Sequence, residues 1–90
     1  MNNRIALESL VMDLKRVALG YHRGSLQMAN RFSEEALKRK NEIDLTNVKP
    51  YIKVLLMRLD IILAYKDPNK IADDALMTST LLQNYIYTSL

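Results

Sequence analysis

Side chains able to carry out acid–base, nucleophilic or metal chemistry are few in this 90-residue chain. It has no cysteine, so thiolate nucleophiles, thiolate metal sites and disulfides are ruled out. The single histidine, His22, lies between Tyr21 and Arg23, and proton transfer would require a partner that holds its imidazole in place. We therefore interpret His22 as a solvated turn residue.

The acidic residues are also poorly arranged for catalysis. Glu34 and Glu35 are adjacent, as are Asp73 and Asp74. Adjacent side chains on a helix diverge by about 100°, so neither pair can act on one atom. The sequence contains no Glu-x-x-His pair, phosphate-binding glycine loop or nucleophile elbow. These observations predict a protein that is not an enzyme and uses no metal, cofactor or small-molecule substrate.

The composition is that of a folded globular chain. Hydrophobic residues make up 49% of it and charged residues 26%. Two glycines and two prolines supply few turns, whereas an all-β sandwich or barrel needs one about every 8–12 residues. The length suits one domain, which we assign to residues 1–90.

The net charge of +3 is small and spread along the chain. Lys38, Arg39 and Lys40 form the only basic cluster in the sequence. It lies at the end of a predicted helix, where cations complement the negative end of the helix dipole. Nucleic-acid-binding proteins usually concentrate positive charge on one face. The sequence therefore predicts no nucleic-acid partner.

Two properties predict a cytoplasmic location. Glu8 and Asp13 interrupt the apolar residues near the N-terminus, so no secretory signal is indicated. The longest apolar-rich stretch, residues 48–65, is a poor bilayer span because of its charged residues, Lys49, Lys53, Arg58 and Asp60.

Four segments have the apolar spacing or the end signals of helices. Apolar side chains recur at steps of three and four over residues 3–19, which predicts the first helix. Gly20 and Gly24 predict a break near residues 20–24, since glycine readily takes the positive φ that ends a helix. The alternative is a helix that continues through both glycines, which then form a notch of small residues against a neighbour.

The second helix is predicted over residues 25–41, with Ser25 as its N-cap. Residues 41–47 should form a loop whose Ile43 and Leu45 pack back onto the core. Thr46 or Asn47 is predicted to cap the next helix.

The third helix is predicted over residues 48–66, with Pro50 in its first turn, where the missing N–H is not needed. It is apolar on nearly every side, which predicts a central position with packing on several faces. Arg58 and Asp60 point to different sides, and each is expected to reach solvent along a polar edge.

Asp67 and Pro68 predict the start of a fourth helix over residues 68–88, since Asp is a preferred N-cap and Pro a preferred first residue. Nothing after Asp74 is charged, and tyrosines recur near the end. Such a composition is typical of the core of a protein interface. The alternative is that the terminus packs into the bundle or frays. Four helices with short connections predict an all-α fold, an antiparallel up-and-down four-helix bundle.

This layout resembles the immunity proteins of pediocin-like (class IIa) bacteriocins, the enterocin A immunity family. The most similar segment runs from Ala36 to Glu42 and continues through a short loop to Pro50. The helix over residues 52–65 and the polar break over residues 66–70 also fit the spacing of helices in the family. The likeness covers most of residues 25–85, while the uncharged last segment departs from the family's charged C-terminus.

The resemblance implies a protein that protects the cell producing a bacteriocin. Members of this family act from the cytoplasmic side on the complex of bacteriocin with the mannose phosphotransferase components of the membrane, and they prevent pore opening. The resemblance thus implies a cytoplasmic protein that can attach peripherally to the inner membrane surface, where a mild positive charge favours anionic lipids.

Helices three and four are predicted to face the membrane-embedded partner. Their composition and predicted exposure give four candidate contact residues: Arg58, Tyr65, Tyr85 and Tyr87. The alternative function is that of a small self-associating helical adaptor or assembly subunit, in which the uncharged last helix forms a homodimer interface.

Overall fold

A computed structural model describes residues 3–90, and this part of the chain forms four α-helices and no strand. The helices are α1 (Asn3–His22), α2 (Leu26–Asn41), α3 (Pro50–Ile62) and α4 (Pro68–Ser89), and a short 3₁₀ turn, Leu45–Asn47, precedes α3. The prediction of an all-α four-helix bundle is confirmed. The bundle is 35 Å long, which matches the length of about 30 Å expected for α1 and α4.

The two glycines behave differently. Gly24 lies in the turn between α1 and α2 and has a φ of 72°. Ser25 Oγ accepts a hydrogen bond of 3.2 Å from the Met28 N–H, so the predicted N-cap of α2 is confirmed. Gly20 lies inside α1, which ends at His22, three residues beyond the predicted end of the helix. A Cβ atom at Gly20 would lie 2.7 Å from the backbone nitrogen of Ala29. The break therefore falls at Gly24, while Gly20 provides the close approach to α2.

The connection between α2 and α3 is tied to the start of α1. Asn3 Nδ2 donates to the carbonyl oxygen of Asp44 at 2.9 Å, and Asn3 Oδ1 accepts from its N–H at 2.8 Å. Ile43 is buried and Leu45 packs against the core, as predicted. The predicted N-cap at Thr46 or Asn47 is wrong, because Lys49 occupies that position without a side-chain hydrogen bond.

The boundaries of the last two helices differ in how well the sequence predicts them. Asp67 Oδ1 accepts from the Asn69 N–H at 2.9 Å, so the predicted cap of α4 is confirmed. In contrast, α3 covers 13 residues and ends at Ile62, short of the predicted residue 66. It also begins at Pro50, two residues after the predicted start, because Val48 and Lys49 are extended.

The centre of the bundle is α1, because this helix packs along both α2 and α4. Its apolar arc is broad enough to face two neighbours at once, and it buries eight residues without a charged side chain: Ala6, Leu7, Leu10, Val11, Leu14, Val17, Ala18 and Gly20. The prediction that α3 is central is therefore wrong. Only one side of α3 enters the core, through Ile52, Leu56, Leu59 and Ile62.

Sparse contact with α2 explains the outer position of α3. Lys40, near the end of α2, contacts Asp60, near the end of α3, at 2.5 Å. Few other residues of the two helices meet, so α2 leaves much of the α3 surface uncovered. None of the helices within residues 3–90 combines the length and the hydropathy that crossing a bilayer requires.

Candidate functional site

Exposed apolar side chains on α3, together with those of α4 that line the groove between the two helices, give a candidate surface, which we name the α3–α4 face. Its members are between 40% and 62% exposed: Tyr51, Val54, Met57 and Ile61 on α3, and Met77 and Leu81 on α4. On α3 they recur at steps of three and four, on the side opposite the buried Leu56. The surface exists because α3 is apolar all round but is covered on one side only.

A shallow groove of about 50 Å³ separates the two helices within this face. Its lining comprises Leu55, Arg58, Ile62, Asp74, Met77, Thr78 and Leu81. Arg58 and Asp74 carry opposite charges, and neither forms a salt bridge with another residue of the described range. The groove thus offers one cation and one anion within an apolar surface.

Beyond Asp74, α4 carries no charge, and two of its exposed hydroxyl groups bond to the helix backbone. Thr80 Oγ1 donates to the Leu76 carbonyl oxygen at 3.1 Å, and Thr88 Oγ1 donates to that of Asn84 at 2.9 Å. Each hydroxyl therefore directs its proton back into the helix instead of to water. Leu82 and Ile86 of the last helix pack into the core, as the alternative predicts, while Met77 and Leu81 remain exposed.

The structure does not bring the four predicted contact residues together. Arg58 lies exposed beside the groove, whereas Tyr65 is half-buried beneath Lys70, whose Nζ lies 4.5 Å from the ring centroid. Tyr87 is 77% exposed but faces the α1 side of α4.

Tyr85 is only 3% exposed, so the expectation that it is available to a partner is wrong. Its ring packs edge to face against Tyr51, with 6.1 Å between centroids. The sequence signal that could have identified the exposed surface was the all-round apolar character of the third helix, which we interpreted as evidence for a central position.

The basic cluster at the end of α2 is engaged within the fold. Lys38 lies 3.8 Å from Glu35, and Arg39 lies 3.0 Å from Glu42. Lys40 pairs with Asp60, so this carboxylate connects α2 to α3 and is not merely solvated. All three cations therefore have a carboxylate partner within the fold.

A buried carboxyl group, Asp13, lies between α1 and α2. Its side chain is 9% exposed and its Oδ1 is 3.5 Å from Arg16. Burial raises the pKa of the Asp13 carboxyl, and the positive charges of Arg39 and Arg16 oppose this only in part. Its Oδ2 atom is buried without a hydrogen-bond partner. Among residues 3–90, no three His, Asp or Glu side chains come together as a metal ion would require.

Comparison with models of protein families, with curated proteins and with solved structures gives no match.

Proposed function

We propose that the protein is a non-catalytic bacteriocin immunity protein that works by binding another protein through the α3–α4 face. Its partner would be the complex of a class IIa bacteriocin with mannose phosphotransferase membrane components, reached from the cytoplasmic side. The resemblance gives this partner class and assigns its recognition to the last two helices. The exposed apolar side chains of α3 and α4 support that assignment.

The observation that carries the proposal is the exposure of large apolar side chains on α3 and α4. Six of them are between 40% and 62% exposed. Exposed apolar patches rimmed by polar residues are typical of sites that bind other proteins. Arg58 and Asp74, which line the groove between the two helices, supply such polar groups.

The charge of the face favours a protein over an anionic surface. Arg58 and Asp74 balance each other, and the rest of the surface is uncharged. Lipid headgroups and nucleic acids are recognised by an excess of positive charge, which the face lacks. A neutral, aromatic and methionine-containing surface is typical of the centre of a protein interface.

Expression in a bacterium sensitive to class IIa bacteriocins, followed by challenge with a panel of these peptides, tests the proposal. We expect survival in the presence of at least one member of the panel. Met77→Glu and Ile61→Glu should abolish survival, because each places a charge in the face. Met12→Glu, which changes an exposed methionine on α1, is the matched control and should protect normally. Sensitivity to every member of the panel, with the protein present in the cell, would refute the immunity function.

Self-association is the second candidate function, and one observation favours it. A groove with one cation and one anion, neither paired within the described chain, is complementary to itself under a two-fold rotation. Arg58 of one copy could then pair with Asp74 of another. Sedimentation at several concentrations tests this assembly, which requires a dimer that Met77→Glu weakens and Met12→Glu does not. A protein that stays monomeric at millimolar concentration would rule it out.

A further inference from the structure

A second groove, of about 320 Å³, lies between α1 and α4, away from the α3–α4 face. Its volume is within the range of small-molecule sites, about 300–1,000 Å³. Val11 and Ile86 are almost fully buried at its base, while Met12 and Tyr87 are exposed beside them. The remaining lining residues are Arg4, Glu8, Lys15 and Gln83. The groove is thus an apolar channel with polar groups at its ends.

The cations at the two ends of the groove differ in whether they have an anionic partner. At one end, Arg4 Nε donates to Glu8 Oε1 at 2.9 Å, and its Nη1 donates to the Leu90 carbonyl oxygen at 3.1 Å. At the other end, Lys15 Nζ donates to the neutral Gln83 Oε1 at 3.1 Å. Lys15 is therefore the cation of this lining that has no anionic partner within residues 3–90.

The contact between Lys15 and Gln83 also leaves the amide N–H groups of Gln83 free to donate. An ammonium group only donates, so the Gln83 atom that faces it must be the amide oxygen. The amide nitrogen keeps its N–H groups for another acceptor. An anion beside Lys15 would thus receive a charge-assisted hydrogen bond from the ammonium and a further bond from the amide.

The length of the channel indicates the shape of the molecule that fits. Arg4 and Lys15 are eleven residues apart on one helix, or about 16 Å along its axis. An extended acyl chain of medium length spans this distance, with its methylene groups against Val11 and Ile86.

We propose that the α1–α4 groove binds a fatty carboxylate, a single acyl chain whose head group lies at Lys15 and Gln83. The chain lies along Val11 and Ile86, beside Met12, and ends near Arg4. This site is separate from the α3–α4 face and does not depend on the proposed function.

Titration of the protein with dodecanoate below its critical micelle concentration tests the site, with methionine methyl groups observed by NMR. We expect a saturable shift of the Met12 methyl signal and none at Met57 or Met77. Dodecanol and dodecyltrimethylammonium, which lack the anionic head, should bind about tenfold more weakly.

Variants test the head group and the channel separately. Lys15→Gln should weaken dodecanoate binding about tenfold, while Lys53→Gln, an exposed lysine on α3, should leave it unchanged. Met12→Glu should abolish binding by repelling the carboxylate, and Met77→Glu is its matched control. Circular dichroism of each variant verifies that the helices are retained.

The proposal is overturned if the Met12 signal does not saturate or if Lys15→Gln binds dodecanoate as well as the unaltered protein does. Equal affinity for dodecanoate and dodecyltrimethylammonium would overturn it too, since the head group would then contribute nothing. A shift seen only with phosphatidylglycerol vesicles would mean that the surface binds a bilayer and not a free fatty acid. Each of these results leaves the immunity assay of Met77→Glu unaffected, so the two proposals fail independently.

Discussion

At the scale of single residues, two positions between α1 and α2 are under the strongest physical constraint. Asp13 is a carboxyl group held almost out of contact with water, with one oxygen unpaired. Gly20 is a site where two helix backbones come too close for a side chain. Neither position touches the α3–α4 face, so both determine stability and leave the proposed contacts untouched.

Replacing Asp13 by Asn should change how stability depends on pH. Because burial raises the pKa of Asp13 in the folded protein, the folded state favours the protonated form. The stability that Asp13 contributes is complete below its pKa in the unfolded chain, about 3.9. It is lost as pH rises through the raised pKa of the folded protein. In denaturant unfolding between pH 3 and pH 8, the free energy of unfolding of Asp13→Asn should therefore rise relative to that of the unaltered protein as pH increases.

A second carboxyl group, Asp44, contributes to the pH dependence of stability in the opposite direction. Hydrogen bonds from Thr46 lower the pKa of Asp44, so its contribution is present at neutral pH and lost as pH falls. Asp44 is the same in both proteins, and its effect cancels in the difference. A difference in the free energy of unfolding that does not vary with pH would contradict the prediction for Asp13.

Gly20→Ala should destabilise the protein by about 1–3 kcal/mol, because the added Cβ would collide with the backbone of Ala29. In a helix without this neighbour, the same change would stabilise by roughly 0.5–1 kcal/mol. The sign of the change in thermal unfolding therefore reports on the contact itself. Gly24→Ala should also destabilise, but for the different reason that its φ is positive. A more stable Gly20→Ala variant would show that α1 and α2 do not approach as described.

At the scale of elements, the N-terminal starts of α3 and α4 differ in how they are capped. Asp67 caps α4 through its side chain, whereas Lys49 precedes α3 without any side-chain hydrogen bond. Both helices have proline as their first residue, which removes one unpaired N–H but leaves others open. The start of α3 is therefore the less stabilised of the two.

Substitutions at these caps should have opposite effects. Asp67→Ala should lower the free energy of unfolding by about 1 kcal/mol, since the Asn69 N–H loses its acceptor. Lys49→Asp should raise it by a similar amount, because an aspartate can accept from the first turn of α3 and suits the positive end of the helix dipole. Urea unfolding measures both changes, and a destabilised Lys49→Asp variant would contradict the uncapped start of α3.

At the scale of the whole molecule, the distribution of apolar surface separates folding from binding. α1 is covered by α2 and α4, while α3 contributes one side to the core and leaves the other exposed. A residue such as Leu56 thus stabilises the fold, and Ile61, on the same helix, contributes little to it. This separation makes the α3–α4 face open to substitution without loss of the bundle.

Two substitutions on α3, one buried and one exposed, should therefore differ strongly in how much they lower the free energy of unfolding. Leu56→Ala should lower the free energy of unfolding by about 2–5 kcal/mol, since it leaves a cavity in the core. Ile61→Glu should change it by no more than about 0.5 kcal/mol, because the side chain is 62% exposed. Chemical denaturation of both variants measures the contrast. An equal loss in the two would mean that the exposed side of α3 is packed after all.

Much of the fold follows from local sequence. Apolar spacing identifies four helices, and Ser25, Asp67 and Pro68 mark helix starts through interactions between neighbouring residues. The sequence could not predict that Gly24 forms the turn while Gly20 allows the close approach of two helices. Only the position of the second helix shows which glycine meets a backbone.

The candidate sites were decided by tertiary structure. Periodicity shows that the third helix is apolar all round, but not how many of its sides find a neighbour, and this number fixes whether Ile61 is core or surface. The α1–α4 groove joins Lys15 and Gln83, which are 68 positions apart, and no local pattern indicates such a pairing. The sequence by itself determined where the helices form, because that depends on nearby residues; their packing determined which apolar surface remains exposed, because burial depends on residues distant in the chain.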